Sequence, residues 1–170
     1  MKSAILSLGS NSGDRFFLLS EAMKQLAQRN CIIEKESAVY ESTAWGFNKP
    51  ANSFLNKILQ IKTYLNPNEL LVIILDIETK LGRNRIPATI DKAKVLYSDR
   101  TIDIDIIFYQ NLIVNSKELI IPHPLIKERR FILEPLNEIA PDFIHPLLNL
   151  SINQLLMQCK DQGKVTKVDF

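Results

Sequence analysis

The sequence predicts an α+β fold: a ferredoxin-like βαββαβ antiparallel sheet, with a C-terminal extension packing partly on the second face of that sheet. Three observations carry this expectation. Within the strand read over 100–109, residues 101–106 alternate strictly between polar and apolar side chains, the period of a half-buried strand. Two segments show helical spacing behind good capping residues, Asp14 and Asn66. Within residues 3–109 the order of elements reads β-α-β-β-α-β.

Residues 3–8 form a short apolar strand that stops at Gly9-Ser10-Asn11-Ser12-Gly13, a dense turn signal. Asp14 then caps a helix running to about Arg29, whose inner stripe is Phe16, Leu19, Met23 and Leu26. Residues 31–41 read as one strand and 53–63 as the next, joined by a loop over 42–52 that holds Gly46 and Pro50. Asn66-Pro67-Asn68-Glu69 opens the second helix. Asn66 is the N-cap, Pro67 fills the first helical position and Glu69 reaches back as in a capping box. Its stripe of Leu70, Ile74, Ile77 and Leu81 ends at Gly82. Residues 83–99 read as a loop and 100–109 as the last strand of the sheet. Ile102, Ile104, Ile106 and Phe108 are expected on its core face. Beyond it, residues 119–121 are extended, 131–139 form a short apolar segment, and Ser151-Ile152-Asn153-Gln154 starts another helix with a capping box.

A length of 170 residues predicts a single domain over 1–170, large enough for a substantial core. The longest apolar run is six residues, so no membrane span is expected, and the N-terminus meets its first turn too early for a secretory leader. Cys31 and Cys159 make neither a disulfide framework nor a metal cluster, which fits reduced thiols in a cytoplasmic protein. The net charge of +2 argues against nucleic acid as a partner. Charge is nevertheless uneven. Lys80, Arg83, Arg85, Lys92, Lys94 and Arg100 face only Asp91 and Asp99, and Lys127, Arg129 and Arg130 make a second cluster. Such runs are commonly solvated faces; their neighbours give them chemical meaning.

Period two sends Asp103 and Asp105 to the face opposite the isoleucines, roughly 7 Å apart along the strand. Asp suits strands poorly and like charges side by side repel, so a merely wet polar face would be better built from Thr, Lys or Gln. A pair of carboxylates holding Mg²⁺ on a polyphosphate explains them better. With only five glycines there is no backbone cradle for phosphate, so Arg83, Arg85, Arg100 and Arg129 must supply the positive charge. His123, stiffened by a proline on each side, can donate a hydrogen bond to a phosphate, whereas His145 reads as structural. Phe54 and Asn56 share a strand face: an aromatic platform beside an amide suits a flat heterocycle, and equally suits a core Phe with a polar neighbour.

Several motifs occur together in one order. They are Gly9-Ser10-Asn11, Phe54-Leu55-Asn56, Glu78 with Gly82-Arg83-Asn84-Arg85, Arg100-Thr101-Ile102-Asp103-Ile104-Asp105 and Pro122-His123-Pro124. Arg129-Arg130-Phe131 and Pro135-Leu136-Asn137-Glu138-Ile139-Ala140-Pro141 follow. Over about residues 4–158 the chain resembles the 6-hydroxymethyl-7,8-dihydropterin pyrophosphokinases of folate biosynthesis. The resemblance implies transfer of pyrophosphate from ATP to a pterin hydroxymethyl group with release of AMP, in a cytoplasmic monomer that uses two Mg²⁺ ions. It implies that Asp103 and Asp105 hold the metals and that Arg83 and Arg100 are catalytic. Phe54 and Phe131 would sandwich the pterin, Asn56 would read its edge, and Ser42, Thr43 and Trp45 would wall it. Glu78, Arg85, Tyr97, Arg100, Ile106, His123 and Arg129 would lie around ATP. Tyr97-Ser98-Asp99-Arg100 stands where many members carry Trp-Gly-Pro-Arg, and residues 85–99 are expected to close over bound ATP. The alternatives are a non-catalytic nucleotide- or RNA-binding module, which would want aromatics on its exposed sheet face, and a two-metal phosphohydrolase.

Overall fold

The computed structural model describes residues 1–46, 51–83 and 99–169. Arg85 and Tyr97, and the lid expected over residues 85–99 apart from Asp99, lie outside the described residues.

Strand β1 (Lys2–Ser10) is followed by helix α1 (Arg15–Ala27). Asp14 caps α1, accepting the Phe17 backbone N–H at 3.1 Å, and the helix ends two residues short of the expected Arg29. The segment predicted as one strand over 31–41 is two, β2 (Ile32–Glu36) and β3 (Val39–Ser42). Both lie on the same partner, β4 (Phe54–Thr63), with a register shift within β2. The break falls where Ser37 bonds back to β4: its backbone N–H donates to the Ile58 carbonyl at 2.9 Å and its hydroxyl accepts the Ile58 N–H at 3.0 Å. A side-chain hydroxyl has replaced a ladder carbonyl, which ends the regular pairing.

Helix α2 (Pro67–Lys80) has the predicted capping box, with Asn66 and Glu69 bonded reciprocally. Its C-terminus closes as a Schellman turn: Gly82 adopts φ +84°, its N–H bonds the Thr79 carbonyl at 3.1 Å, and the Arg83 N–H bonds that of Glu78 at 2.9 Å. That turn fixes where Arg83 starts, which matters below. Strand β5 (Asp103–Tyr109) begins three residues later than predicted.

The strands form an antiparallel sheet ordered β5-β1-β4-β3, with β2 also on β4 and a further strand, β8 (Val165–Val168), outside β3. Between β5 and β8 come β6 (Val114–Asn115) and β7 (Ile120–Ile121), a two-stranded ribbon, then helices α3 (Arg130–Ile139) and α4 (Ile152–Gln158). The apolar segment predicted over 131–139 is therefore α3, with Pro135 inside it, and Ser151 caps α4 as expected.

Alternation splits the core in two. Leu6, Leu8, Leu55, Leu59, Ile104 and Ile106 face α1 and α2, while Ile5, Ile58, Ile107 and Phe108 face α3 and α4. Phe108 was expected beside Ile106 and is on the other side. The register slips between Ile5 and Leu6, which pair with Phe108 and Ile106, so Ile107 is an extra residue on β5. A bulge of this kind reverses the facing of every later side chain, and Tyr109 takes the place expected for Phe108. Because α3 and α4 cover only the Ile5–Ile58–Phe108 half of the second face, the other half stays open as a cleft.

Candidate active site

The floor of the cleft is one cross-strand row. Gly9 on the central strand pairs with Asp103 on one side and Asn56 on the other, and Asn56 pairs onward with Tyr40. In the next row on the same face, Ser7 pairs with Asp105. Lacking a side chain, Gly9 leaves the space between the acidic end and the amide end open. The cleft holds about 510 Å³ of empty space, part of it open to solvent. Asp103, Asp105, Arg100 and Arg129 line one end; Ser42, Thr43, Trp45, Phe54, Asn56 and Phe131 line the other.

At the acidic end, Arg83 and Arg100 both bond Asp103, one on each carboxylate oxygen. Arg83 also bonds Glu78, whose carboxylate accepts the Ile104 backbone N–H at 2.8 Å. Glu78 is fully buried behind Arg83 and does not line the cleft, so its side chain acts on Arg83 rather than reaching outward. Burial pushes the Asp103 carboxyl up, but the charges and hydrogen bonds of Arg100 and Arg83 outweigh it and hold the group below its ordinary value. Asp105 differs. Among the described residues Arg129 is paired with it at 4.0 Å, and burial followed by repulsion from Asp103 pushes its carboxyl up to about 7. Two carboxylates, one of them short of positive charge, suit a hard divalent cation that takes its other ligands from phosphate oxygens and water. No group of three or more His, Cys, Asp or Glu able to hold a metal occurs among the described residues.

Arg129 joins the two ends. Its guanidinium lies 5.0 Å from the Trp45 ring centre and 5.8 Å from that of Phe131, cation–π distances. Behind it, His123 Nε2 is 3.4 Å from Arg129 Nη1, while Nδ1 accepts the Leu125 N–H at 3.3 Å. Burial and the adjacent Arg129 charge drive the His123 pKa down to about 4, so the ring is neutral at pH 7. Its own N–H bonds the carbonyl of the bulged Ile107 at 3.0 Å, tying it to β5. The Ile106 side chain belongs to the core on the helix side, so only its backbone is available to the cleft.

At the other end the Asn56 amide donates to Ser42 Oγ at 2.9 Å, which sets its orientation in the slot. Three site contributors were given no role from the sequence, although Gly9 and Asn11 stand in one of its motifs. Ser7 and Gly9 share the face of Asp105 and Asp103 by period two, a signal present in β1 but hidden until its pairing with β5 is known. Asn11 is the third. Its Oδ1 accepts the Arg100 N–H at 2.7 Å, its Nδ2 donates to Asp99 at 2.6 Å, and its N–H bonds the Arg100 carbonyl at 3.1 Å. Nothing local to residue 11 announces that contact.

A family model described as 7,8-dihydro-6-hydroxymethylpterin-pyrophosphokinase matches residues 5–141. A 2-amino-4-hydroxy-6-hydroxymethyldihydropteridine pyrophosphokinase of Aquifex aeolicus is 42% identical over 147 residues, 86% of each chain. A protein of the same name from Bacillus subtilis is 40% identical over 138 residues, 81% of this chain and 77% of the relative. The folic acid synthesis protein FOL1 of Dictyostelium discoideum is 37% identical over 96% of this chain, which spans 23% of it. Among solved structures, an HPPK-DHPS in complex with substrates superposes with a TM-score of 0.71 at 16% identity, over 92% of this chain and 43% of the other. Wild-type HPPK-DHPS of Plasmodium falciparum gives 0.68 at 18% identity, over 92% and 44%. At these identities the superpositions establish the fold, and this chain spans under half of each solved one.

Proposed function

The chain belongs to the 7,8-dihydro-6-hydroxymethylpterin-pyrophosphokinase family, and from that premise we propose which of its residues carry the reaction. The enzyme transfers pyrophosphate from ATP to the hydroxymethyl group of 6-hydroxymethyl-7,8-dihydropterin in folate synthesis, giving AMP and the pterin diphosphate. The observation that carries the assignment is the Asp103–Gly9–Asn56 row, which sets a phosphate end and a heterocycle end on adjacent strands with open space between them.

Phe54 and Phe131 stack on the two faces of the pterin, Asn56 bonds its edge, and Ser42, Thr43 and Trp45 wall the slot. Asp103 and Asp105 would hold two Mg²⁺ ions, whose positive charge would offset that of the phosphates. Arg83 and Arg100 place positive charge where negative charge develops in the transition state; transfer of this kind needs positioning and charge stabilisation above all. Glu78 and the Schellman turn keep Arg83 in place. Arg129 spans both ends, with its planar group against Trp45 and Phe131 and its charge toward Asp105. His123, neutral and held by β5, accepts from Leu125 at Nδ1 and so keeps its proton on Nε2, beside Arg129, where it can donate to a phosphate oxygen. Arg85, Tyr97 and the Ile106 backbone complete the ATP contacts. The sheet order supports the ferredoxin-like class, in a single domain over residues 1–170, and a cytoplasmic monomer suits the small substrates.

The reading is tested by incubating protein, Mg²⁺ and ATP with and without reduced pterin. AMP formed only with pterin is the expected result. Phosphate release without pterin would instead indicate a hydrolase. No turnover, with ATP binding intact, would indicate a binding module.

A further inference from the structure

Between α4 and β8 the chain crosses the outer wall of the pterin slot, and one carboxylate there holds two of its walls. Asp161 accepts the Arg130 backbone N–H at 3.1 Å through Oδ2 and the Gly163 N–H at 2.8 Å through Oδ1. Its own carbonyl takes Arg130 Nε at 2.9 Å. Helix α3 has no cap of its own, because Arg129 at the N-cap position makes no side-chain capping bond. The cap is therefore delivered from 31 residues downstream, onto the turn that carries Phe131.

The same segment holds the opposite wall. The Thr43 N–H bonds the Lys164 carbonyl at 3.1 Å, and Ser42 pairs with Val165 as β8 begins. Gly163 is closely flanked: a Cβ there would lie 3.0 Å from Asp161 Oδ1 and 3.1 Å from Thr43 Oγ1, so both side chains would have to give. At the far end of α3, Glu138 accepts from Tyr40 Oη, the Ala38 N–H and Lys167 Nζ, each at 3.0 Å, which locks the helix to β3 and β8.

We propose that Asp161 is a positioning residue for the pterin slot: by capping α3 and bracing Gly163 against Thr43, it sets Phe131 and Thr43 at the separation the heterocycle needs. This rests on the reading of Phe54 and Phe131 as the stacking pair. Asp161 does not line the cleft, so its removal is expected to act on pterin recognition more than on the phosphate end.

The test uses the full chain with three substitutions, Asp161→Ala, Asp161→Asn and Gly163→Val. The readouts are KM for reduced pterin, KM for ATP, kcat, and the emission of Trp45, the only tryptophan, which lines the slot. Asp161→Ala raises the pterin KM about fivefold to tenfold, the size of a lost cap, with ATP KM within about twofold. Asp161→Asn, which keeps one acceptor, recovers most of the loss. Gly163→Val weakens pterin from the other side of the same contact, and Trp45 emission shifts in both disruptive variants. Equal rises in both KM values would show a merely structural role and overturn the inference, as would a pterin KM near wild type in both Asp161→Ala and Gly163→Val. Should Asp161→Ala not fold, Gly163→Val decides by the same criteria. Phe131→Ala run alongside separates the two readings. If it weakens pterin while the Asp161 and Gly163 variants do not, only the positioning role fails; if it is silent, the slot assignment fails and takes this inference with it.

Discussion

Replacing each aspartate of the acidic end by Asn, in metal-free protein, should move stability in opposite directions. Asp103 is only 17% exposed and has a guanidinium on each oxygen. Removing its charge strands two arginines beside a neutral amide. Breaking a fully buried pair costs about 3–5 kcal/mol, so this partly exposed one should cost about 2–4 kcal/mol. Asp105 lacks such partners. A carboxyl pushed from 3.8 to about 7 in the folded state represents about three pH units at roughly 1.4 kcal/mol each, or about 4 kcal/mol if wholly buried. Its side chain is 37% exposed, and solvent screening brings this to about 1–2 kcal/mol. The folded pKa lies above the unfolded one, so the penalty is complete above about pH 7 and fades as the pH falls toward 3.8. At roughly 2–4 °C per kcal/mol for a chain of this size, Asp105→Asn should raise Tm by about 2–8 °C at pH 8 in EDTA. By the same conversion Asp103→Asn should lower it by about 4–16 °C. At pH 5 about one of the three units remains, so the Asp105→Asn gain should shrink to roughly a third. His123 and His145, both held below their ordinary pKa, make the folded state less stable in acid, but they are common to both proteins and cancel in the difference. Pyrophosphoryl transfer should be lost in both variants. An Asp105→Asn protein that melts below wild type at pH 8, or whose difference from wild type is the same at pH 5, would refute the reasoning.

Three further outcomes follow from the same geometry. Phe54→Ala and Phe131→Ala should each weaken pterin binding by about 1–3 kcal/mol in calorimetry with ATP affinity unmoved, and equal loss of both ligands would contradict the slot. Glu78→Ala leaves Arg83 and the Ile104 N–H without their shared acceptor, so it should cost about 3–5 kcal/mol in denaturant unfolding. Glu78→Gln keeps an acceptor for Ile104 and should cost less while still lowering kcat, because Arg83 loses its charged anchor. The His123 ring protons, followed by NMR, should show an inflection near pH 4 and a flat response from pH 6 to 8; an inflection near 6.5 would mean the ring is not shielded as described.

What could be read from the sequence was local. The Asp14 cap, the Asn66–Glu69 box and the Gly82 stop depend on residues three or four apart, and each stands where the spacing put it. The facing of Asp103 and Asp105 followed from alternation alone. Phe108 went wrong because a bulge is a property of two strands: the register slip opposite Ile5 and Leu6 shows in residues 103–109 only as the apolar run Ile106-Ile107-Phe108, which fits either face. Helix α3 was hidden by Pro135, which breaks the expected pattern, and by a cap that arrives from Asp161. Strand β8 was missed because Val165-Thr166-Lys167-Val168 is short and largely exposed, ordered by pairing with β3 rather than by a buried face. In the site, residue types on single strands were legible, whereas Ser7, Gly9 and Asn11 acquire their roles only from chains that return tens of residues later.

The row through Gly9 works as a ruler. From Asp103 to Asn56 is two steps between neighbouring strands, about 9–10 Å, graduated by main-chain hydrogen bonds and not by side-chain packing. Core substitutions that swell or shrink the layers above and below the sheet leave those graduations untouched. An acceptor whose alcohol stands one methylene farther from its ring therefore meets a mismatch of about 1.5 Å that repacking cannot absorb, and near-attack geometry is lost by errors of that size. Selectivity for the length of the acceptor arm thus resides in the backbone of β1, and a library confined to pocket side chains would alter which rings are held without altering how far the reacting oxygen may stand from them.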